Sequence, residues 1–218
     1  GSGQLGSQFL LLKDIFNFEF ITPLSKELDI TNIKNLEGFF KEHSFDLVLN
    51  FSAFTNVDNA EDNLNLALEL NYLAIKNLTS ITNFYDKPLI HISTDYVFGK
   101  YGSAPFDIGS KAGALNNYGF SKLLGEEEII NHSHKAIIIR TASLYGNYKK
   151  NFFKTFIDIL TTKKTIDIVS DQRISLTWSY DLSIAIFELL ELISNSISWN
   201  KNKSVNIIHL VNEGHTTW

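Results

Sequence analysis

The sequence predicts an α/β fold, a doubly wound parallel sheet with part of a small C-terminal lobe. Three observations carry that expectation: apolar runs alternate with helical patterns, a glycine-rich turn opens the chain, and hydroxyl residues close a buried run. Residues 45–51 (FDLVLNF) form an apolar run of the length a buried strand takes. Across 64–80, Leu64, Ala67, Leu68, Leu70, Leu73, Ala74 and Leu78 recur with helical spacing. A second strand is expected over 88–93, a glycine-containing loop over 99–117, a second helix over 118–131 and a third strand over 136–141. The repeated unit is strand, helix, strand. Residues 151–160 and 180–193 read as further helices and 205–211 as a late strand.

Composition bounds the function classes. With 218 residues, 44% of them hydrophobic, and three prolines, the chain can bury a core in one domain or in one domain plus a small lobe. The net charge of -5 comes with no run of Lys and Arg interleaved with aromatics, so nucleic acid is not an expected partner. No apolar stretch approaches the roughly 20 residues that span a bilayer, and the N-terminus lacks the layout of a signal peptide. Cysteine is absent, which removes thiolate and disulfide chemistry and suits a cytoplasmic location. Methionine is absent too, and the chain opens inside a glycine turn, so it reads as a fragment that continues upstream. Monomer and homodimer both remain open, because the helical faces that would pair are also needed against the sheet.

Gly1-Ser2-Gly3-Gln4-Leu5-Gly6 matches G-x-G-x-x-G. In that pattern the glycines let the backbone approach a pyrophosphate whose charge meets a helix N-terminus. The strand that should precede it is not in the sequence, so an ordinary turn explains these glycines alone about as well. Gly3, Gln4 and Leu5 are the candidate phosphate-side residues. Residues 18–26, taken as the next strand, place no acid at the strand end to read an adenosine ribose, and Ser25 and Lys26 are near. That makes NADPH the first cofactor expected and NADH the second. Asp29 and Ile30 either border the adenine or, for Asp29, cap the next helix. The resulting division is a Rossmann-like nucleotide-binding domain over 1–145, without its first strand. Residues 146–218 then complete the sheet and contribute to a truncated substrate lobe.

Tyr118 and Lys122 have the Y-x-x-x-K spacing, which puts phenol and ammonium one helical turn apart on one face. Ser93-Thr94-Asp95 ends a buried run, where ligands bind in a doubly wound sheet. A phenol near pKa 10 is too weak an acid at neutral pH to protonate a carbonyl oxygen unaided. Lys122 beside it would lower that pKa and hold the nicotinamide ribose, while Thr94 would donate to the carbonyl. The plainer reading makes Tyr118 a helix-start aromatic and Lys122 a solvated side chain. The coincidence of the hydroxyl, the Tyr-Lys pair and the glycine turn favours catalysis. No metal site is expected. His132 and His134 are two apart, which on a helix do not face together, so they read as a solvated helix end.

Longer strings carry a family resemblance. His91 to Phe98 reads H-I-S-T-D-Y-V-F ahead of Tyr118-Gly119 and Lys122-Leu123 with Gly125-Glu126. Asn50 to Thr55, Val57-Asp58, Ala60-Glu61, Leu115-Asn116, Arg140-Thr141, Tyr145-Gly146, Asn151-Phe152, Asp171-Gln172, Thr177, His209-Leu210-Val211 and Thr216-Thr217-Trp218 accompany them. With these the chain resembles the dTDP-4-dehydrorhamnose reductases, extended short-chain dehydrogenases. The resemblance implies reduction of a nucleotide-linked 4-keto-6-deoxy sugar, first of all dTDP-4-dehydrorhamnose to dTDP-L-rhamnose, with Thr94, Tyr118 and Lys122 in the roles above. It also implies that Ser52, Ala53 and Thr55 line the cofactor on the nicotinamide side. Thr55, Val57, Thr94, Asp95, Tyr96 and Ser143 are then the residues that reach the sugar nucleotide.

The departures bear on the sugar. Ser143 stands where the family has a tryptophan, Leu176 where it has a proline, Ile174-Ser175 where it has a glycine nearby, and Ala114 where a proline is common. The loop after Phe98 lacks the usual aspartate, and the chain stops at Trp218, ahead of the remainder such enzymes close over the substrate. Two other readings stand beside the enzyme. One is a non-catalytic NADP-binding regulatory subunit similar to the beta subunit of methionine adenosyltransferase, which the loss of the tryptophan favours. The other is an extended short-chain epimerase or dehydratase, in which Asp95 would be the added acid.

Overall fold

The structure, a computed structural model, describes residues 3–149, 151–162, 165, 167–195 and 204–217. Gly1 and Ser2 of the glycine turn, and Trp218 of the C-terminal string, lie outside the described residues. The chain divides into two units, one of Pro23–Arg140 with Ser196–His209, the other of Gly1–Thr22, Thr141–Asn195 and Leu210–Trp218.

In chain order, helix α1 is Gln4–Leu12, with Gly3 at its N-cap, and α2 is Ile33–Glu42, capped by Asn32, whose side chain accepts from Lys34 N and Asn35 N. Strand β1, Val48–Asn50, is followed by α3, Val57–Asp62, which Asn56 caps through Asn59 N. Then come α4, Leu64–Leu68, one π-helical turn, Glu69–Leu73, and α5, Ala74–Phe84. Strand β2 is Leu89–Thr94, α6 is Asn117–His132 and β3 is Lys135–Thr141. The remaining elements are β4 (Leu144–Tyr145), α7 (Phe152–Thr162), β5 (Arg173–Ile174), β6 (Thr177–Trp178), α8 (Ser179–Ser194), β7 (Ser204–His209) and β8 (Thr216–Thr217).

The first unit holds a four-stranded sheet in the order β1-β2-β3-β7. Strands β1 and β2 pair in parallel, with Asn50 opposite His91, and β3 and β7 pair in parallel, with Ile138 opposite Ile207. Helices join β1 to β2 and β2 to β3, as parallel pairing requires. Leu89, Ile90, Ile138 and Ile139 are fully buried at consecutive positions, so both faces of their strands are covered. Leu36 of α2, Ile75 of α5 and Ile129 of α6 pack with Leu89, Ala136 and Ile138 in one cluster. Each such side chain contributes about 1.5–3 kcal/mol by leaving water. This is the α/β architecture that the alternation predicts. No described helix is long and apolar enough to cross a membrane.

Two expectations need correction. Residues 18–26, read as the second strand, form no strand among the described residues. The alternate aromatics Phe16, Phe18 and Phe20 do have a strand-like period, but Phe16 and Phe20 are spent on another partner. Phe187 of α8 lies stacked between Phe9 and Phe16, with centroids at 4.1 and 4.2 Å, and Phe20 meets it edge-on at 5.8 Å. The helix expected over 64–80 is also not continuous. The π-turn interrupts it, and there the backbone of Asn71 lies so close to Gly125 of α6 that a Cβ on Gly125 would collide with the Asn71 carbonyl.

In the second unit α1 packs on α8 through those rings, β4 pairs in parallel with β6, and β5 pairs antiparallel with β8.

Candidate functional site

Strand β2 delivers Thr94 to its carboxyl end, where the Thr94 hydroxyl accepts from Tyr96 N at 3.2 Å and donates to Asp95 Oδ1 at 3.2 Å. A 3-10 turn, Asp95–Val97, follows. Helix α6 starts beside this turn because Asn116 caps it, accepting from Gly119 N at 2.7 Å, and because Gly119 has no side chain: a Cβ there would strike the Tyr96 carbonyl. The close approach puts Tyr118 against Tyr96, rings 5.5 Å apart and 71° inclined, with the Thr94 hydroxyl near enough to the phenol to act on it. Burial pushes the phenol up to about 12. The Thr94 hydroxyl pulls it down, and the charge of Asp95 adds to the rise. Asp95 itself is pushed up to about 6 by burial, against the hydrogen bond from Thr94.

One turn further along α6, Lys122 is 1% exposed, so it is not a solvated surface lysine. Its Nζ donates to the Ile92 carbonyl at 2.7 Å and lies 3.0 Å from His91 Nε2. His91 is fully buried, and its Nδ1 lies 3.0 Å from Asn50 Nδ2, while Asn50 Oδ1 accepts from Ser52 N at 3.0 Å. Burial brings Lys122 down to about 8, opposed by the negative charge of Glu126. Glu126, fully buried on the next turn, holds Arg140 of β3 through three contacts of 3.0, 3.1 and 2.6 Å. The Arg140 guanidinium also sits over the Phe98 ring at 4.9 Å.

The structure thus brings Thr94, Asp95, Tyr96, Tyr118 and Lys122 together in the first unit. Ser52, Ala53 and Thr55 lie in the segment that leaves β1, with Ser52 and Thr55 exposed, and Val57 packs against the cluster that contains Tyr118. Asp29 forms an Asx turn, accepting from Thr31 N and Oγ1, and its backbone N donates to Asn35 Oδ1. The helix cap offered for Asp29 falls to Asn32 instead. The Ile30 carbonyl accepts from Asn77 Nδ2. Gly3, Gln4, Leu5 and Ser143 belong to the second unit. There Gln4 Nε2 is shut off from solvent without a hydrogen-bond partner, and Ser143 takes a φ of 38°, its carbonyl accepting from Thr177 N at 3.3 Å.

Sequence reasoning assigned no role to His91, Asn50 or Asn71. Asn71, in the π-turn, accepts from Phe54 N at 2.9 Å, donates to Phe54 O at 3.0 Å and donates to Ser121 Oγ at 2.9 Å. The available signal was a histidine inside an apolar strand and an asparagine on the apolar side of a helix, both polar groups that burial obliges to find partners.

The family model described as RmlD substrate binding domain matches residues 1–218. The chain is similar to a dTDP-4-dehydrorhamnose reductase of Aggregatibacter actinomycetemcomitans, 30% identical over 217 residues that cover 99% of this chain and 72% of the relative. It is also similar to the spore coat polysaccharide biosynthesis protein SpsK of Bacillus subtilis (strain 168), 31% identical over 216 residues, with coverage of 99% and 72%. Among solved structures, the dTDP-4-dehydrorhamnose reductase of Bacillus anthracis str. Ames in complex with NADP superposes with a TM-score of 0.87 at 31% identity. It is matched over 100% of this chain and 74% of that one.

Proposed function

We propose, from the premise that this chain belongs to the family of the RmlD substrate binding domain, that it reduces the ketone of a nucleotide-linked 4-keto-6-deoxy sugar with NADPH. Conversion of dTDP-4-dehydrorhamnose to dTDP-L-rhamnose is the first reaction we assign, and NADH is the second cofactor. The observation that carries the proposal is the convergence of Thr94, at the carboxyl end of β2, on Tyr118 at the start of α6, with buried Lys122 one turn along the same helix.

The residues fit a dinucleotide. Gln4 Nε2 is a donor shut off from water without a partner at the start of α1, and a Cβ added to Gly3 would meet nothing within 4 Å, so the backbone there is open to close approach. When bound, NADPH supplies hydride to the ketone carbon. Gly3, Gln4 and Leu5 are the residues we assign to its phosphates, Asp29 and Ile30 to its adenine side, and Ser52, Ala53 and Thr55 to its nicotinamide side. Residues 146–218 contribute to the substrate lobe in this proposal, with 1–145 as the nucleotide-binding domain, and the cysteine-free composition suits the cytoplasm.

Tyr118 is the proton donor. Its phenol is pushed up to about 12 by burial rather than lowered as the spacing predicts, so at neutral pH it is protonated but a weaker acid than an exposed tyrosine. Giving its proton to the oxygen that gains charge as the ketone is reduced therefore depends on the Lys122 ammonium one turn along the helix. Thr94 is the residue we assign to donate to the same oxygen, once its hydroxyl hydrogen turns from Asp95 Oδ1, to which it donates at 3.2 Å. Lys122 commits one hydrogen to Ile92 O, which leaves others for a ribose hydroxyl and for stabilising the phenolate as the proton leaves. Thr55, Val57, Asp95, Tyr96 and Ser143 complete the sugar-nucleotide contacts we assign. Serine at 143 removes an aromatic wall, which admits a bulkier or differently configured sugar.

The test supplies dTDP-4-dehydrorhamnose with NADPH and follows the loss of reduced-nicotinamide absorbance, beside a panel of other nucleotide 4-ketosugars. Turnover of the first supports the assignment. Turnover of another ketosugar alone keeps the reaction and changes the sugar. A protein shown to bind NADPH that turns over none of them is instead a binding subunit.

A further inference from the structure

We propose that Arg140 Nη1 and His209 Nε2 hold one buried water between them, at the carboxyl ends of β3 and β7, its oxygen accepting from the guanidinium and one of its hydrogens donated to the imidazole. The site lies outside the reaction proposed above and does not depend on it.

Strands β3 and β7 pair in parallel with Arg140 opposite His209, so the two side chains leave the same face of the sheet as neighbours. Glu126 of α6 accepts from Nε and Nη2 of the guanidinium, a side-on pairing that turns Nη1 away from the carboxylate. Nη1 has no hydrogen-bond partner among the described residues and no exposure to solvent, on a residue 5% exposed. His209 Nε2 is likewise enclosed and unpartnered. One ring meets both groups. The Phe98 centroid lies 4.9 Å from the guanidinium carbon and 5.8 Å from the centroid of His209, and Phe106 stacks on Phe98 at 4.7 Å. Buried nitrogens in folded proteins nearly always meet a partner, in the chain or in ordered water, so two left over on neighbouring strands call for one molecule that serves both.

Charge decides which molecule that is. Glu126 already neutralises Arg140, and both Glu126 and Asp107 act on His209 as negative charges, so an anion would enter against two carboxylates. A cation would face the guanidinium. Burial first and the charge of Arg140 second hold His209 below its ordinary range, against Glu126 and Asp107, so at neutral pH the ring is uncharged and one of its nitrogens accepts. An arginine N–H only donates. The molecule between them is therefore neutral, with one oxygen to accept and one hydrogen to give. Water is the smallest that qualifies, and two partners are enough to hold it. Through it Glu126, Arg140 and His209 form one chain across α6, β3 and β7. A hydroxyl of a bound sugar nucleotide has the same chemistry, and the experiment separates the two sources.

The chain has two arginines, Arg140 and Arg173, and six histidines, so 15N-arginine and 15N-histidine labelling of the whole protein gives few signals to assign by NMR, with Arg173→Lys and His209→Phe as references. Without added ligand we expect a dipolar cross-peak between the Arg140 Nη1 hydrogens and a long-lived water, and His209 as the Nδ1–H tautomer with bare Nε2. Both should persist when NADPH and a nucleotide 4-ketosugar are added. His209→Phe keeps a ring against Phe98 and removes the acceptor, so the Nη1 hydrogens should exchange with solvent about fivefold faster while the Nε hydrogen held by Glu126 exchanges as before. An Nε2–H tautomer, which makes both groups donors and the site one for an anion, would overturn the proposal. So would a direct Nη1-to-Nε2 bond without the water cross-peak, or a cross-peak that vanishes when the sugar nucleotide binds. These three are read on the unaltered protein, so they stand even where His209→Phe fails to fold.

Discussion

Replacing Glu126 by glutamine tests how the buried centre of the sheet is held together. The carboxylate is fully buried and makes all three of the hydrogen bonds to the Arg140 guanidinium, whose Nη1 has no partner of its own among the described residues and no access to bulk solvent. Glu126→Gln keeps the shape and removes the charge, leaving a guanidinium in a site 6% exposed with nothing to neutralise it. Removing one partner of such a pair costs about 3–5 kcal/mol. For a chain of this size that is a fall in Tm on the order of 6–20 °C. Urea unfolding followed by far-ultraviolet circular dichroism measures it. The double variant Glu126→Leu, Arg140→Met should regain most of the loss, because the desolvation cost of both ions goes with them. A single-variant cost below about 1 kcal/mol, or a double variant no better than the single, would refute the account. Glu126→Gln should also move Lys122 further down from about 8, since the carboxylate is the influence that opposes burial there.

Three more outcomes follow from the same geometry. Tyr118→Phe should lower ketosugar turnover by at least about two orders of magnitude with nearly unchanged NADPH affinity in fluorescence titration; retention of most activity would remove the phenol from the reaction. Asp95 binds its proton more tightly folded than unfolded, so its contribution to stability is full below about 4 and lost as pH rises through about 6. Asp95→Asn should abolish that slope and stabilise the protein at pH 7.5 by about 1–3 kcal/mol, measured by urea unfolding, and an unchanged slope would contradict the burial of the carboxyl. Lys122 has the opposite sign of mismatch, deprotonating folded near 8 and unfolded near 10.5, so stability should rise with pH across that window and the rise should vanish in Lys122→Met.

Strands β2 and β3 were legible because they are buried on both faces and spell themselves as continuous apolar runs, and α6 because Tyr118 and Lys122 stand one helical turn apart. The boundaries of β2 and α6 fall within a residue of the expectation. Residues 18–26 misled because period-two aromatics look the same whether they pair with a neighbouring strand or stack on a helix. The Phe187 contact that decides the matter lies more than 160 residues away in the chain. At the site, Thr94, Tyr118 and Lys122 could be picked out by type and spacing. The partners of Lys122 could not, since spacing on α6 says nothing of which groups on β1 and β2 face it.

Asn71 leaves its mark on motion rather than on chemistry. Its amide grips both backbone atoms of Phe54 and the hydroxyl of Ser121, and Ser121 in turn donates to the Tyr118 carbonyl at 2.7 Å. The segment after β1 and the first turn of α6 are thereby cross-braced at one buried point. A displacement of one is therefore passed to the other through hydrogen bonds that water does not reach.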